Sequence, residues 1–396
     1  MHLDTDRHAL AFFLPELLDG GVQRVFVNLT TELASRGLAV DLVVGSADGP
    51  FKARIADTVQ VVDLAAGRVS GALIPLARYL RTRRPACLVS GMTHANVIAV
   101  LAAGISRTGI PVAVTEHCDM TQAREASTSS VGRIILPALA RIAYKRASTI
   151  IAVSSAVADD LSVCLDLPRD RVMVIGNPVV GKELHALAAV PASHPWFAPG
   201  SPPVVLGVGR LAPQKDFKTL LTAFSIVLRS HPARLIVLGD GPERRALEAH
   251  ARDLSIHDSV CFQGFVQNPF CFMRNAAALV LSSRFEGFGN VLAEAMATGC
   301  PVVSTDCPSG PRQVLEDGRY GPLVPVGRPD EMARSIIRVL DHPPPRSLLR
   351  QGASRFTIEK IASDYLSAIT KHERPGISAT ELAGKEGSGS RRAGRA

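Results

Sequence analysis

Aromatic residues are scarce, at 5% of 396 residues with a single tryptophan. The net charge of +8 and the sequence pI near 9.3 therefore come without aromatic-basic interleaving, and no nucleic-acid module is recognisable. A nucleic-acid partner is not expected. Long hydrophobic runs are missing too. No apolar stretch approaches the ~18 residues of a membrane span, and the best candidate, residues 97–105, follows His94 and Asn96 and suits a core helix. The first residues carry Asp4, Asp6 and Arg7 before a brief apolar stretch broken at Pro15, which is not the pattern of a signal peptide. A cytoplasmic address is the expectation. Seven scattered cysteines, an odd number, form no Cys-x-x-Cys pair, so reduced thiols are expected instead of a disulfide framework or a zinc site.

Hydrophobic residues make up 46% and charged residues 20%, which suits an α/β protein with buried parallel strands. The length is too great for one ordinary core and right for two domains. Strand and helix alternate. Residues 10–14 read as a strand, 22–36 as a helix stopped by Gly37, and 40–44 as a second strand. Further strands follow near 59–62, 86–89, 112–115, 149–153 and 172–175. Residues 181–203 hold Pro191, Pro195, Pro199, Pro202 and Pro203, the alternation stops, and the stretch reads as a connection. A second alternation begins at Val204, with strands at 235–238, 260–262, 278–281 and 302–304. Gly241-Pro242, Asn268-Pro269 and Arg328-Pro329 mark its helix starts. Such βα alternation implies doubly wound parallel sheets with right-handed crossovers.

The densest functional signal is Ser283-Arg284-Phe285-Glu286-Gly287-Phe288-Gly289-Asn290-Val291-Leu292-Ala293-Glu294. Two carboxylates stand eight positions apart around a glycine-rich turn. A buried strand precedes it, and residues 290–299 read as a helix capped at Asn290 and stopped at Gly299. The helix's free N–H groups and positive dipole end would then face an anion in the turn. Upstream, Gly209-Arg210-Leu211 followed by Lys215-Asp216-Phe217 places two cations after the second half's first strand.

With these motifs, Gly20-Gly21-Val22, and Val153-Ser154 with Gly176-Asn177-Pro178, the chain resembles the family 4 retaining glycosyltransferases over roughly residues 9–371. The resemblance implies the GT-B fold: two Rossmann-like doubly wound domains facing across a cleft, with a C-terminal helix crossing back. Its boundaries would be an acceptor domain 1–180, a linker 181–203, a nucleotide-sugar domain 204–355, a crossover helix 356–371 and a disordered, Gly/Ser/Arg-rich tail 372–396. The donor would be a nucleotide sugar, with uracil as its base, and the acceptor a glycan carried on a polyprenyl diphosphate. Glu294 would accept hydrogen bonds from the ribose hydroxyls and Glu286 from the transferred sugar. A carboxylate suits a vicinal diol because it accepts two hydrogen bonds in fixed directions.

Gly20, Gly21, Gly287, Phe288, Gly289, Asn290 and Val291 would complete the donor site. His117, in Thr115-Glu116-His117 at the end of a strand, would stand near the reacting sugar, with Glu116 beside it orienting the acceptor. Arg210 and Lys215 would hold the leaving phosphate. The only Asp-x-Asp triplet, Asp4-Thr5-Asp6, precedes the first strand, so no metal and no cofactor are expected. Retention of configuration comes from the resemblance, with same-face attack favoured because no residue is an obvious nucleophile.

Other readings compete. Gly207-Val208-Gly209-Arg210-Leu211-Ala212 fits a dinucleotide fingerprint, yet Pro213 interrupts the helix that should start there, and no acid stands ~20 residues further on. A nucleotide-sugar epimerase of the same fold would release sugar epimer from donor alone. A non-catalytic nucleotide-sugar-binding subunit is the third alternative, disfavoured by the intact set of charges. Finally, the 131–147 segment carries Arg133, Arg141, Lys145 and Arg146 and no acid. It would either rest on an anionic membrane, at the inner face of the cytoplasmic membrane, or pack on the sheet with a solvated basic face.

Overall fold

The computed structural model describes residues 9–370 except 19, 127, 128 and 130. The expected tail and the Asp4-Thr5-Asp6 triplet lie outside the described residues. The order begins β1 (Leu10–Glu16), α1 (Gly21–Ser35), β2 (Val40–Ser46), β3 (Gln60–Asp63), α2 (Leu73–Arg83), β4 (Cys87–Gly91), α3 (Thr93–Ser106) and β5 (Val112–Glu116). It continues with α4 (Met120–Ala126), α5 (Leu136–Arg146), β6 (Thr149–Ala152), α6 (Ser155–Leu165), β7 (Val172–Val174) and α7 (Leu184–Ala189). Next come β8 (Val204–Val208), α8 (Phe217–Val227), β9 (Arg234–Leu238), α9 (Arg244–Asp253), β10 (Val260–Gly264), α10 (Phe270–Asn275), β11 (Ala278–Leu281) and α11 (Asn290–Thr298). The last elements are β12 (Val302–Thr305), α12 (Pro311–Val314), β13 (Leu323–Val324), α13 (Pro329–Asp341), α14 (Arg346–Ala353) and α15 (Ile358–Thr370).

The described strands form two sheets, ordered β3-β2-β1-β4-β5-β6-β7 and β10-β9-β8-β11-β12-β13. Neighbouring strands run parallel, as in β1–β2, β1–β4, β8–β9 and β8–β11. Each sheet is wound outward in both directions from its first strand, so its order reverses beside that strand: between β1 and β4 in one, and between β8 and β11 in the other. Both faces of such a sheet are covered, which is why Leu10-Ala11-Phe12-Phe13-Leu14 is buried without interruption.

Contacts divide the chain into two compact units. The first takes residues to Thr115, Ile142–Ile150 and those from Ala362 on; the second takes Glu116–Arg141 and Ile151–Ile361. In the second unit, Val205, Leu235, Val237, Ala278, Val280 and Val303 point to one face of their sheet, where they pack with Phe217, Leu220 and Phe224 of α8 and Met332 and Ile336 of α13. The alternate strand residues supply the other face.

Several expectations are corrected. The 181–203 connection contains α7 and a 3-10 turn at Pro195–Phe197, helical pieces too short to give a periodic signal. Of the three marked prolines only Pro329 sits at a first helical position; Pro269 is an N-cap and Pro242 precedes α9. The terminal helix begins at Ile358 because Phe356 ends a 3-10 turn and Thr357 is extended, bridging to Val180.

In the first unit, Asp41 is buried in β2 and accepts from Arg83 Nε at 2.9 Å and Tyr79 Oη at 2.6 Å. Burial, then the Asp41 carboxylate, hold the Tyr79 hydroxyl well above its ordinary pKa. Asp41→Ala would strip both α2 donors of their partner, and a loss of about 2–4 kcal/mol is expected in urea denaturation. A change under 0.5 kcal/mol would show that the cluster adds nothing.

Candidate functional site

The loop after β8 is anchored backbone to backbone. Gly209 N donates to Leu238 O at 3.0 Å, Leu211 N to Asp240 O at 2.9 Å, and the Leu211 side chain is fully buried. A 3-10 turn at Pro213–Lys215 leads into Asp216, whose left-handed conformation (φ 45°) ends the turn and whose carboxylate caps α8 through Thr219. A Cβ at Gly209 would lie 3.5 Å from three carbons of Lys215, so the lysine stem runs over that glycine. Its Nζ donates to Glu286 Oε1 at 2.5 Å.

Glu286 arrives from the neighbouring strand. After β11, Ser282 Oγ donates to Lys215 O at 2.7 Å and Arg284 N to Gln214 O at 2.8 Å, while Gln214 Nε2 returns a bond to Phe285 O at 2.9 Å. These bonds tie the β8 and β11 loops together. Ser283 Oγ adds a second donor to Glu286 Oε1 at 2.6 Å, and Thr305 Oγ1 holds Ser283 O at 2.6 Å. Lys215 therefore pairs with Glu286 and not with Asp216, whose ion-pair partner is Arg284. Arg210 is exposed and makes no ion pair among the described residues. Burial and then the Glu286 carboxylate push the nearby Cys307 thiol up to about 12.

A Cβ at Gly287 would lie 1.8 Å from His117 O, so no other residue fits without moving the loop. Phe288 is buried edge-to-face on Phe356, centroids 5.1 Å apart, with Gly176 beneath it. The N-cap of α11 is Gly289 (φ 87°), not Asn290 as the sequence suggested. The Asn290 side chain accepts instead from Asn177 Nδ2 at 2.8 Å. No side chain caps this helix and its first turn holds no acid, an arrangement that leaves first-turn N–H groups without a side-chain acceptor and suits an anion. Glu294 lies buried farther along α11, and the helix stops at Gly299 (φ 83°) as expected.

His117 and Glu116 are both buried at the end of β5. His117 bonds Asn177, and burial lowers its pKa to about 4 despite that bond. The structure thus gathers His117, Lys215, Glu286, Gly287, Phe288 and Asn290 within the second unit. Gly20 and Gly21 belong to the first unit, where Gly20 is the N-cap of α1. Asn177, Ser283 and Thr305 were missed as site residues, because their roles depend on partners far along the chain and leave no spacing pattern.

A cavity of about 720 Å³ opens between the start of α6, at Ser154, and the Asp306–Gln313 loop. Asp159, Asp306, Glu316 and Asp317 line it against only Arg312 and Arg355, and none of the predicted donor residues borders it. That charge balance disfavours a pyrophosphate. Among the described residues no three or more His, Cys, Asp or Glu side chains gather to hold a metal, and no helix is long and apolar enough to cross a membrane.

A doubly wound sheet with a cation and a carboxylate meeting where its strand order reverses defines an α/β protein of the kind that binds ligands at that switch point. Comparison with known families narrows the class. Residues 19–180 match the model described as Glycosyltransferase Family 4, and residues 202–342 match Glycosyl transferases group 1. The chain belongs to the family 4 glycosyltransferases, with the GT-B fold. It is 34% identical to the lipopolysaccharide core biosynthesis glycosyltransferase LpsE of Rhizobium meliloti, over 43% of this chain and 51% of that one. It is 32% identical to the N-acetylgalactosamine-N,N'-diacetylbacillosaminyl-diphospho-undecaprenol 4-alpha-N-acetylgalactosaminyltransferase of Campylobacter jejuni, over 42% and 46%. The matches thus span about half the length of these curated relatives. Anabaena HepE in complex with UDP shares the fold, with TM-score 0.73 and 20% identity over 92% of this chain and 100% of that one. The lipopolysaccharide outer core galactosyltransferase WaaB does so with TM-score 0.71 and 22% identity over 92% and 99%.

The His117 imidazole stays neutral in the folded chain down to about pH 4, against an ordinary value of 6.5. Between those values the unfolded chain binds the extra proton, so stability falls as pH drops from about 6.5 to about 4, by on the order of 3 kcal/mol. His117→Gln should flatten that segment of a urea-derived stability profile. An unchanged slope would assign the acid sensitivity to other groups.

Proposed function

We propose that the protein is a retaining, metal-independent glycosyltransferase. It moves a hexose or N-acetylhexosamine from a nucleotide sugar, with UDP as carrier, to a glycan acceptor in bacterial surface polysaccharide assembly. The acceptor is a glycan linked to a polyprenyl diphosphate, which places the enzyme at the cytoplasmic face of a membrane. One observation carries the reading: Lys215 and Glu286 meet at the carboxyl ends of β8 and β11, where the sheet order reverses.

The reaction explains why both charges are needed. As the bond between the anomeric carbon and the donor phosphate breaks, negative charge grows on the leaving oxygen. The Lys215 ammonium carries three N–H groups, and with one on Glu286 two remain for phosphate oxygens. Arg210 adds a second, unpaired cation from the same loop, and the α11 amides add their dipole. Glu286, its Oε1 fixed by Lys215 and Ser283, presents Oε2 to a hydroxyl of the transferred sugar, and Glu294 takes the ribose diol. Neutral His117 can hydrogen-bond a sugar hydroxyl without adding positive charge beside the developing oxocarbenium. The acceptor oxygen attacks the face the phosphate leaves, forms the new bond to the anomeric carbon, and passes its proton to the departing phosphate oxygen.

UDP should raise the melting temperature of the wild-type chain by several degrees at about 100 times its Kd, where ligand linkage is worth ~2.7 kcal/mol. GDP and ADP should do less. Glu286→Gln keeps the Ser283 contact and should retain the UDP shift while transfer falls ~100-fold or more. Lys215→Ala should lose both. Equal losses of UDP binding in the two variants would undo this division of roles.

Turnover in excess EDTA should match turnover without it. A strict requirement for added manganese would remove Arg210 and Lys215 from the role of phosphate counter-charge.

A further inference from the structure

We infer that the cavity between the start of α6 and the Asp306–Gln313 loop is a carbohydrate subsite that takes an uncharged saccharide apart from the donor. Its walls are matched in charge. Arg312 pairs with Asp306 and, at 3.2 Å, with Asp317; Arg355 pairs with Glu316 at 2.7 Å, and Asp159 with Arg169 at 2.5 Å. Every carboxylate and guanidinium group lining the cavity therefore has a partner of opposite sign, and the site selects neither an anion nor a cation. No aromatic, leucine, isoleucine or valine side chain lines it, so an apolar ligand finds no matching face. An uncharged polar ligand is left. Sugar hydroxyls both donate and accept, which suits a wall built of carboxylates with spare lone pairs, guanidinium N–H groups and serines.

One group in that wall is in want of a partner. Ser309 is 6% exposed and lines the cavity, and its Oγ makes no hydrogen bond among the described residues. A buried hydroxyl left unpaired is costly, and a ligand hydroxyl would satisfy it. The facing wall is fixed. Ser154 Oγ caps Val157 N, and Gln313 Oε1 accepts from Ser155 N at 2.8 Å, so α6 and the loop are held at a set spacing. Behind Ser309 lies the donor loop. Pro308 O accepts from Glu286 N at 3.3 Å, and a Cβ at Gly310 would lie 2.2 Å from Phe288 O, so the cavity and the donor loop share one segment of chain. A volume of about 720 Å³ accommodates a disaccharide. That the saccharide is part of the acceptor glycan rests on the proposed function; that the cavity binds a saccharide does not.

The test is saturation-transfer NMR on the full chain with maltose, lactose, N-acetyllactosamine and N,N′-diacetylchitobiose, with UDP in excess to keep these probes out of the donor site. The expected result is saturation transfer to at least one of them. Ala156→Trp, at an exposed position in the first turn of α6, should fill the cavity and abolish the signal. Ser309→Gly suits the left-handed backbone there (φ 69°) and removes only the hydroxyl, so binding should weaken several-fold. Both variants should keep the wild-type melting temperature and UDP shift. No signal from any of the four probes, a signal seen only without UDP, or one indifferent to both variants overturns the inference. A bound probe that is also extended when UDP-sugars are supplied identifies the acceptor glycan as the source, and one that stays unchanged identifies a free saccharide; either upholds the subsite. A wild-type chain without a UDP shift would count against the proposed function and leave the saccharide result standing.

Discussion

The candidate chemistry depends on one ion pair across one strand pair. β8 and β11 are neighbours in space although β9 and β10 lie between them in sequence. That adjacency brings the loop carrying Lys215 against the loop carrying Glu286. A sheet wound in simple sequence order would put two strands between the two charges, a separation of roughly 14 Å. Right-handed crossovers in opposite directions leave the carboxyl ends of β8 and β11 uncovered by either connecting helix, and the pair forms in that gap. The hydrogen bonds from Ser282 and Gln214 then hold the loops in register, so the charge pair is positioned by backbone contacts and not by long side chains alone.

The next constraint is steric. Gly287 lies so close to His117 O that the turn carrying Glu286 and the end of β5 are fitted to each other with no room for a methyl group. Asn177 joins the same region through its bonds to His117 and Asn290. A polar group in such a place must be neutral or matched. The imidazole takes the first course, since burial outweighs its hydrogen bond and keeps the ring uncharged down to about pH 4. Glu286 takes the second, with an ammonium and a hydroxyl on one carboxylate oxygen.

Much of the fold was legible because buried parallel strands are continuous apolar runs, and because Gly37 and Gly299 mark helix ends by their positive φ. The strand around 278–281 was legible as an apolar run, whereas β13 has two residues and leaves no pattern to detect. The Glu286–Glu294 and Arg210–Lys215 motifs were visible as spacing. The Lys215–Glu286 pairing was not, since 71 residues of sequence separate the two side chains. Asp216 is committed to capping α8, a requirement seen only once the left-handed turn before the helix is known. The supposed Asn290 cap failed for a similar reason, as its side chain goes to Asn177, 113 residues away in sequence.

Hydrophobicity alone would have buried Leu139 and Ile142 of α5 and exposed Ala140 and Ala143, and the reverse is found. Close packing explains it. Tyr144 fills the space beneath the helix and bonds Asn96, which leaves room on that face only for Ala140 and Ala143. Small inward residues satisfy the core, so nothing in the fold requires aliphatic side chains on the outer face. Exposing Val131, Ile134, Ile135, Leu139 and Ile142 to water gains the isolated fold nothing and adds an aggregation risk. Polar residues would serve stability better at all five positions.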